Sequence, residues 1–72
     1  MKKMEFDYIK FNEILISQGL MLKELSKKCK IAESTLSRYK NGRTKPGIKN
    51  LCQLTKALEC EAKDLMSEVK MN

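Results

Sequence analysis

Residues 30–47, KIAESTLSRYKNGRTKPG, gather five cations, several short hydroxyl side chains and one acidic residue into eighteen positions. Leu36 and Tyr39 stand three apart, the spacing of a single helical stripe, which predicts a helix over about 33–40 held inward by these two. Glu33, Ser34, Ser37 and Arg38 are left on the other faces, short or polar and free of core duty. An α-helix fits the major groove of B-form DNA, and each of these groups has a partner there. Arg38 offers a bidentate fork to guanine, Glu33 accepts from the cytosine amino group, and Ser34 and Ser37 pair either way. Glu33 fits a second role equally well, as an anion stabilising the positive end of its own helix. Ser34 and Thr35 also suit the free amides of a first turn.

Asn41-Gly42 follows, two residue types that tolerate a left-handed helix stop. Lys40, Arg43 and Lys45 surround that stop. Together with Asn41, Thr44 and the backbone amides of residues 41 to 44, they are expected to meet phosphates, contacts that fix register without reading sequence. The wider charge distribution agrees. Between Lys23 and Lys49 lie nine cations against two anions, whereas the rest of the chain carries six cations and seven anions. An excess confined to the middle of the chain points to a polyanion on one face, nucleic acid before an anionic membrane; a merely solubilising lysine-rich face is the plain alternative.

Apolar residues recur at intervals of three and four with no sustained alternation, so the expected fold is all-α, and strands are not required. Asp7 caps a first helix to about Gln18, with Phe11, Ile14 and Leu15 inward and Gly19 as its stop. A second helix spans about Leu22 to Cys29, with Leu22, Leu25 and Cys29 inward, and Ile31 plugs the turn to the third. Pro46 suits the first turn of a fourth helix, about Gly47 to Leu58, facing Ile48, Leu51, Cys52, Leu54, Thr55 and Leu58 to the core. A fifth, about Ala62 to Ser67, returns Leu65 and Met66. The 72 residues form one domain with a core of about 7–67; 1–6 and 68–72 are flanking tails, the last frayed.

Two short helices joined by a three-residue turn form a helix-turn-helix layout. The stretch LSKKCKIAESTLSRYKNG, followed by KPGIKNLCQLTKALECEAKDL, resembles the lambda-repressor-like, or Xre/Cro-type, DNA-binding domains from about Ile9 to Met66. The resemblance implies a compact five-helix domain with its helix-turn-helix at helices two and three. It also implies a transcriptional regulator, a repressor, bound as a homodimer to a palindromic operator on double-stranded DNA. Its base contacts would fall at Glu33, Ser34 and Arg38, and its phosphate loop at Asn41, Arg43 and Lys45. The pairing surface is expected in helix four or five. The chain departs from the family pattern at four places. Met21 and Leu22 replace a polar cap and a phosphate-gripping glutamine. Lys30 replaces a turn glycine, predicting a positive φ at a cost of roughly 1 kcal/mol. Ala32 replaces a cap, and Leu15 with Lys40 replaces an arginine–glutamate pair.

Other chemistries lack their residues. The chain has no histidine, and Cys29, Cys52 and Cys60 form no CxxC pair, so no metal site and no cofactor is expected; all three cysteines read as buried hydrophobes. No catalytic constellation is present, and no small-molecule ligand is expected of so small a domain. An odd cysteine count and the absence of a long apolar run predict a cytoplasmic protein with no membrane contact. Phe6, Ile16 and Leu22 exceed the needs of the core; at least one of them is expected at a subunit interface, with ordinary exposure of single apolar residues an equally good reading. The competing reading is an interaction module, such as an antitoxin or anti-repressor, that presents its basic face to an acidic protein.

Overall fold

A computed structural model describes residues 3–69. The order is strand β1 (Lys3–Phe6), helices α1 (Tyr8–Gln18), α2 (Leu22–Cys29), α3 (Glu33–Lys40) and α4 (Ile48–Leu58), a 3-10 turn (Ala62–Leu65) and strand β2 (Met66–Val69). The helices enclose a core of Phe11, Leu15, Leu25, Cys29, Ile31, Leu36, Tyr39, Leu54, Leu58 and Leu65. Local chemistry ends them where the sequence predicts. The Asp7 carboxylate accepts from the amides of Ile9 at 2.9 Å and Lys10 at 3.4 Å. Gly19 takes φ 62° and closes α1, its amide reaching the Ile16 carbonyl at 3.1 Å.

The expected fifth helix is absent among the described residues; four α-helices, one 3-10 turn and a two-stranded sheet replace the five-helix plan. The Asp64 carboxylate accepts from the Glu61 amide at 2.9 Å and starts a turn only four residues long. Met66–Val69 then extends because β1 is available to pair with it, antiparallel, in the register Lys3↔Val69 to Phe6↔Met66. Segments 3–6 and 68–69, expected as tails, are thus strand; of the frayed end, 70–72 lie outside the described residues. Four-residue strands are too short to print a period-two pattern against a helical background.

Helix α4 is rotated from the expected setting. Leu54 and Leu58 are buried and Leu51 partly so, whereas Cys52 is exposed and Ile48 is 85% exposed. At 3.6 residues per turn, Cys52 lies roughly 160° round the helix from Leu54, so both cannot face one small core. Gly47 caps α4, and Pro46 precedes the helix instead of entering its first turn. Met66 is half-buried on its strand, and Cys60 is half-buried below α4. Burial pushes the Cys29 and Cys60 thiols up, the latter helped by nearby Asp64. Of the surplus apolar residues, Phe6 and Leu22 pack against the core, and Ile16 is 79% exposed.

Asp7 serves three elements at once. Its amide donates to the Leu65 carbonyl at 2.8 Å, continuing the sheet, while its carboxylate caps α1. The Ser67 hydroxyl, and then the Lys10 and Ile9 amides, hold that carboxyl below its ordinary value despite partial burial. A depressed native pKa stabilises the fold above the ordinary carboxylate value, about 4, and that contribution is lost as pH falls through the native value. Asp7→Ala is therefore expected to cost about 1 kcal/mol in urea denaturation at pH 7. Asp7→Asn keeps the cap and should lose less stability than the wild type between pH 7 and pH 3.

Candidate nucleic-acid interface

The α2–α3 turn fixes how α3 is presented. Lys30 takes φ 61°, the left-handed conformation predicted for it, and its amide donates to the Ser26 carbonyl at 3.0 Å. The Ser26 hydroxyl donates to the Ile31 carbonyl at 2.6 Å, while the Ile31 side chain is buried as the expected plug. Ala32 offers no side-chain cap, and the Glu24 carboxylate accepts from the Met21 amide at 3.4 Å at the head of α2. With its first turn anchored this way, α3 runs over the residues expected of it.

Two side chains root α3 in the protein. Leu36 is fully buried and Tyr39 nearly so; the Tyr39 hydroxyl accepts from Asn50 Nδ2 of α4 at 2.9 Å, and its ring meets Phe6 at 6.1 Å between centroids. Glu33, Ser34, Arg38 and Lys40 are exposed, and Ser37 is half-buried. The structure thus brings Glu33, Ser34 and Arg38 together on outward faces of one helix, with Ser37 partly turned aside. Ser37 Oγ also lies 3.5 Å from Asn41 Nδ2.

The loop after α3 differs from expectation in its backbone. The amides of Asn41, Gly42 and Arg43 donate to the carbonyls of Ser37, Tyr39 and Arg38 at 3.0, 3.2 and 2.9 Å. They are engaged in closing the helix, whose last carbonyls otherwise lack partners, and are not turned toward an anion. Among the four amides expected at phosphates, Thr44 alone has no such bond among the described residues. The side chains of Lys40, Asn41, Arg43, Thr44 and Lys45 are all exposed around this loop.

Three residues outside the motif hold or neutralise the loop. Asn12 of α1 donates through Nδ2 to the Lys40 carbonyl at 3.0 Å and to the Tyr8 carbonyl at 2.9 Å. It braces the end of α3 from the helix that also carries Leu15. Tyr8 lays its ring over Gly42, which takes φ 72°. Glu5 of β1 accepts from Lys45 Nζ at 2.5 Å and lies 3.6 Å from Lys3 Nζ. The bond from Lys45, with Lys3 adding to it, holds the Glu5 carboxyl below its ordinary value against the opposing effect of burial. None of the three carries a sequence signal, because Asn12–Lys40 and Glu5–Lys45 are separated by 28 and 40 positions and meet only in the fold.

Residues 12–65 match a helix-turn-helix family. Among solved structures, the chain is similar to the restriction-modification controller protein C.AhdI from Aeromonas hydrophila, with a TM-score of 0.76 and 21% identity over 81% of this chain and 88% of that one. It is similar to a transcriptional regulator from Listeria innocua, with a TM-score of 0.75 and 19% identity over 94% of this chain and 64% of that one, so it spans less than two thirds of that relative. It is also similar to the transcriptional regulator VanUg, with a TM-score of 0.73 and 18% identity over 99% of this chain and 93% of that one. No curated protein matches.

A Cβ added at Gly42 would lie 2.8 Å from the Tyr8 ring, on a backbone that non-glycine residues avoid. Gly42→Ala is expected to cost about 1–3 kcal/mol in chemical denaturation, from overpacking and the positive φ together. In a Tyr8→Ala background the same substitution should cost less, retaining only the backbone part; an unchanged cost would show that the ring does not press on the loop.

Proposed function

Because the chain belongs to the Xre/lambda-repressor-like helix-turn-helix family of DNA-binding transcriptional regulators, we propose that it is a sequence-specific repressor that seats α3 in the major groove of duplex DNA. One observation carries this reading: α3 buries Leu36 and Tyr39 and turns Glu33, Ser34 and Arg38 outward. A short helix rooted by one stripe with polar groups on the opposite side has the form needed for reading base edges. In this reading Arg38 forks onto a guanine. Glu33, Ser34 and the more sheltered Ser37 make the neighbouring base contacts. Lys40, Asn41, Arg43, Thr44 and Lys45 line the phosphates through their side chains.

The protein acts as a homodimer on a palindromic operator, which puts the two copies of α3 about 34–36 Å apart, one turn of DNA. The outward setting of Ile48 and Cys52 supports α4 as the pairing surface, since an exposed isoleucine on a helix face gains by being covered. Among the described residues no helix is long and apolar enough to cross a membrane. A cytoplasmic location, where an operator is reached directly, follows from the same reading.

Selection from random duplexes followed by salt titration tests the proposal. A palindromic consensus is expected, with log affinity falling linearly with log salt. Arg43→Ala should flatten that slope by about one and weaken all sequences alike. Arg38→Ala should relax preference at one base position, costing about 1–3 kcal/mol on the best site. Binding that shows neither a consensus nor a salt slope would transfer the basic face to an acidic protein partner.

A further inference from the structure

One of the loop cations expected at phosphates is already engaged within the protein. Lys45 Nζ lies 2.5 Å from one carboxylate oxygen of Glu5, and Lys3 Nζ lies 3.6 Å from the other. Glu5 is on β1, outside the helix-turn-helix, and the antiparallel pairing with β2 fixes that strand beside the loop. Its side chain is 28% exposed against 58% for Lys45, so the lysine is the more open of the two to an approaching anion. Glu5 keeps its charge, because Lys45 and Lys3 both favour the ionised carboxyl.

We propose that Glu5 is a built-in competitor of DNA for Lys45, a residue that acts through this lysine to weaken the loop's sequence-independent hold on phosphate. The inference rests on the DNA-binding reading above and extends it to a residue that touches no base. A phosphate approaching the loop must either take Lys45 from Glu5 or share it. In both cases a carboxylate enters the phosphates' field together with the ammonium, and the pair delivers no net charge. Cation release from DNA follows net charge delivered, so the pair adds little to the salt dependence that Arg43 and Lys40 supply. An exposed ion pair is only weakly held, which lets Lys45 exchange partners without disturbing the fold. The base-reading face of α3 lies outside this contact, so its contribution to affinity is untouched. The penalty falls on the phosphate contact, which specific and non-specific binding share, and non-specific binding has no base contacts to offset it.

The test is a salt titration of binding to a random-sequence duplex by the wild type, Glu5→Gln, Lys45→Ala and the double variant, with each fold verified by helical circular dichroism and thermal melting. Glu5→Gln is near-isosteric and removes only the charge. It is expected to bind more tightly at low salt with a slope steeper by about 0.9. Its advantage should then shrink about three- to fourfold between roughly 50 and 200 mM salt. Lys45→Ala should flatten the slope by about 0.9 in the Glu5→Gln background, where the lysine is free to meet phosphate, and by less alone, where Glu5 shares it. A folded Glu5→Gln that binds with the wild-type slope, or more weakly, overturns the proposal and makes Glu5 a structural brace. Equal effects of Lys45→Ala in both backgrounds also overturn it, by showing the two residues to be uncoupled. A wild type whose binding ignores salt removes the DNA reading itself, an outcome distinct from either.

Discussion

The outer face of α3 exists because its inner face is buried. Eight residues are too few for a helix to persist alone in water, since nucleation is costly and each further hydrogen bond adds little. Leu36 and Tyr39 supply what the backbone lacks, and Tyr39 does so twice: its ring packs near Phe6 while its hydroxyl is held by Asn50. Everything outward on α3 inherits its position from these two side chains. Asn12 then fixes the far end of the helix by holding the Lys40 carbonyl. The contact uses the Lys40 backbone and leaves the Lys40 side chain exposed.

The loop beyond α3 shows how a basic surface is tempered. Its amides are consumed by the helix end, so its attraction for anions rests on side chains alone. One of those side chains is matched against a carboxylate brought from the other end of the sequence. The charge count of the middle segment alone therefore does not give what a polyanion would meet, because the fold brings Glu5 and Lys3 to the loop from outside that segment.

Much of this was legible in the residues. The bounds of α3 came from the Leu36–Tyr39 spacing and the Asn41-Gly42 stop, whereas the positive φ at Lys30 was legible only through the family resemblance. Asp7 and Gly19 cap and stop α1 through residues a few positions away, so residue type was enough to read those two roles. The same holds for Leu36 and Tyr39, whose spacing alone separates inner from outer faces. What escaped is long-range. Nothing in KMEF or MSEV signals a strand until each finds the other, and neither Glu5 nor Asn12 has a neighbour in sequence that explains it. The setting of α4 was ambiguous for a different reason: Ile48, Leu51, Cys52, Leu54 and Leu58 offer more apolar surface than one small core can take. The packing of neighbouring helices decided that Ile48 and Cys52 stay out.

The two-stranded sheet joins residues that are almost a whole chain apart, Lys3 with Val69. The hydrogen bonds within helices of eight to eleven residues are local, whereas this pairing must close a loop around all of them. β1 and β2 can meet only when the four helices between them are drawn together. The topology thus makes the sheet a clasp: the shorter-range contacts among the helices cost less chain entropy to close, and the strand pairing holds them together.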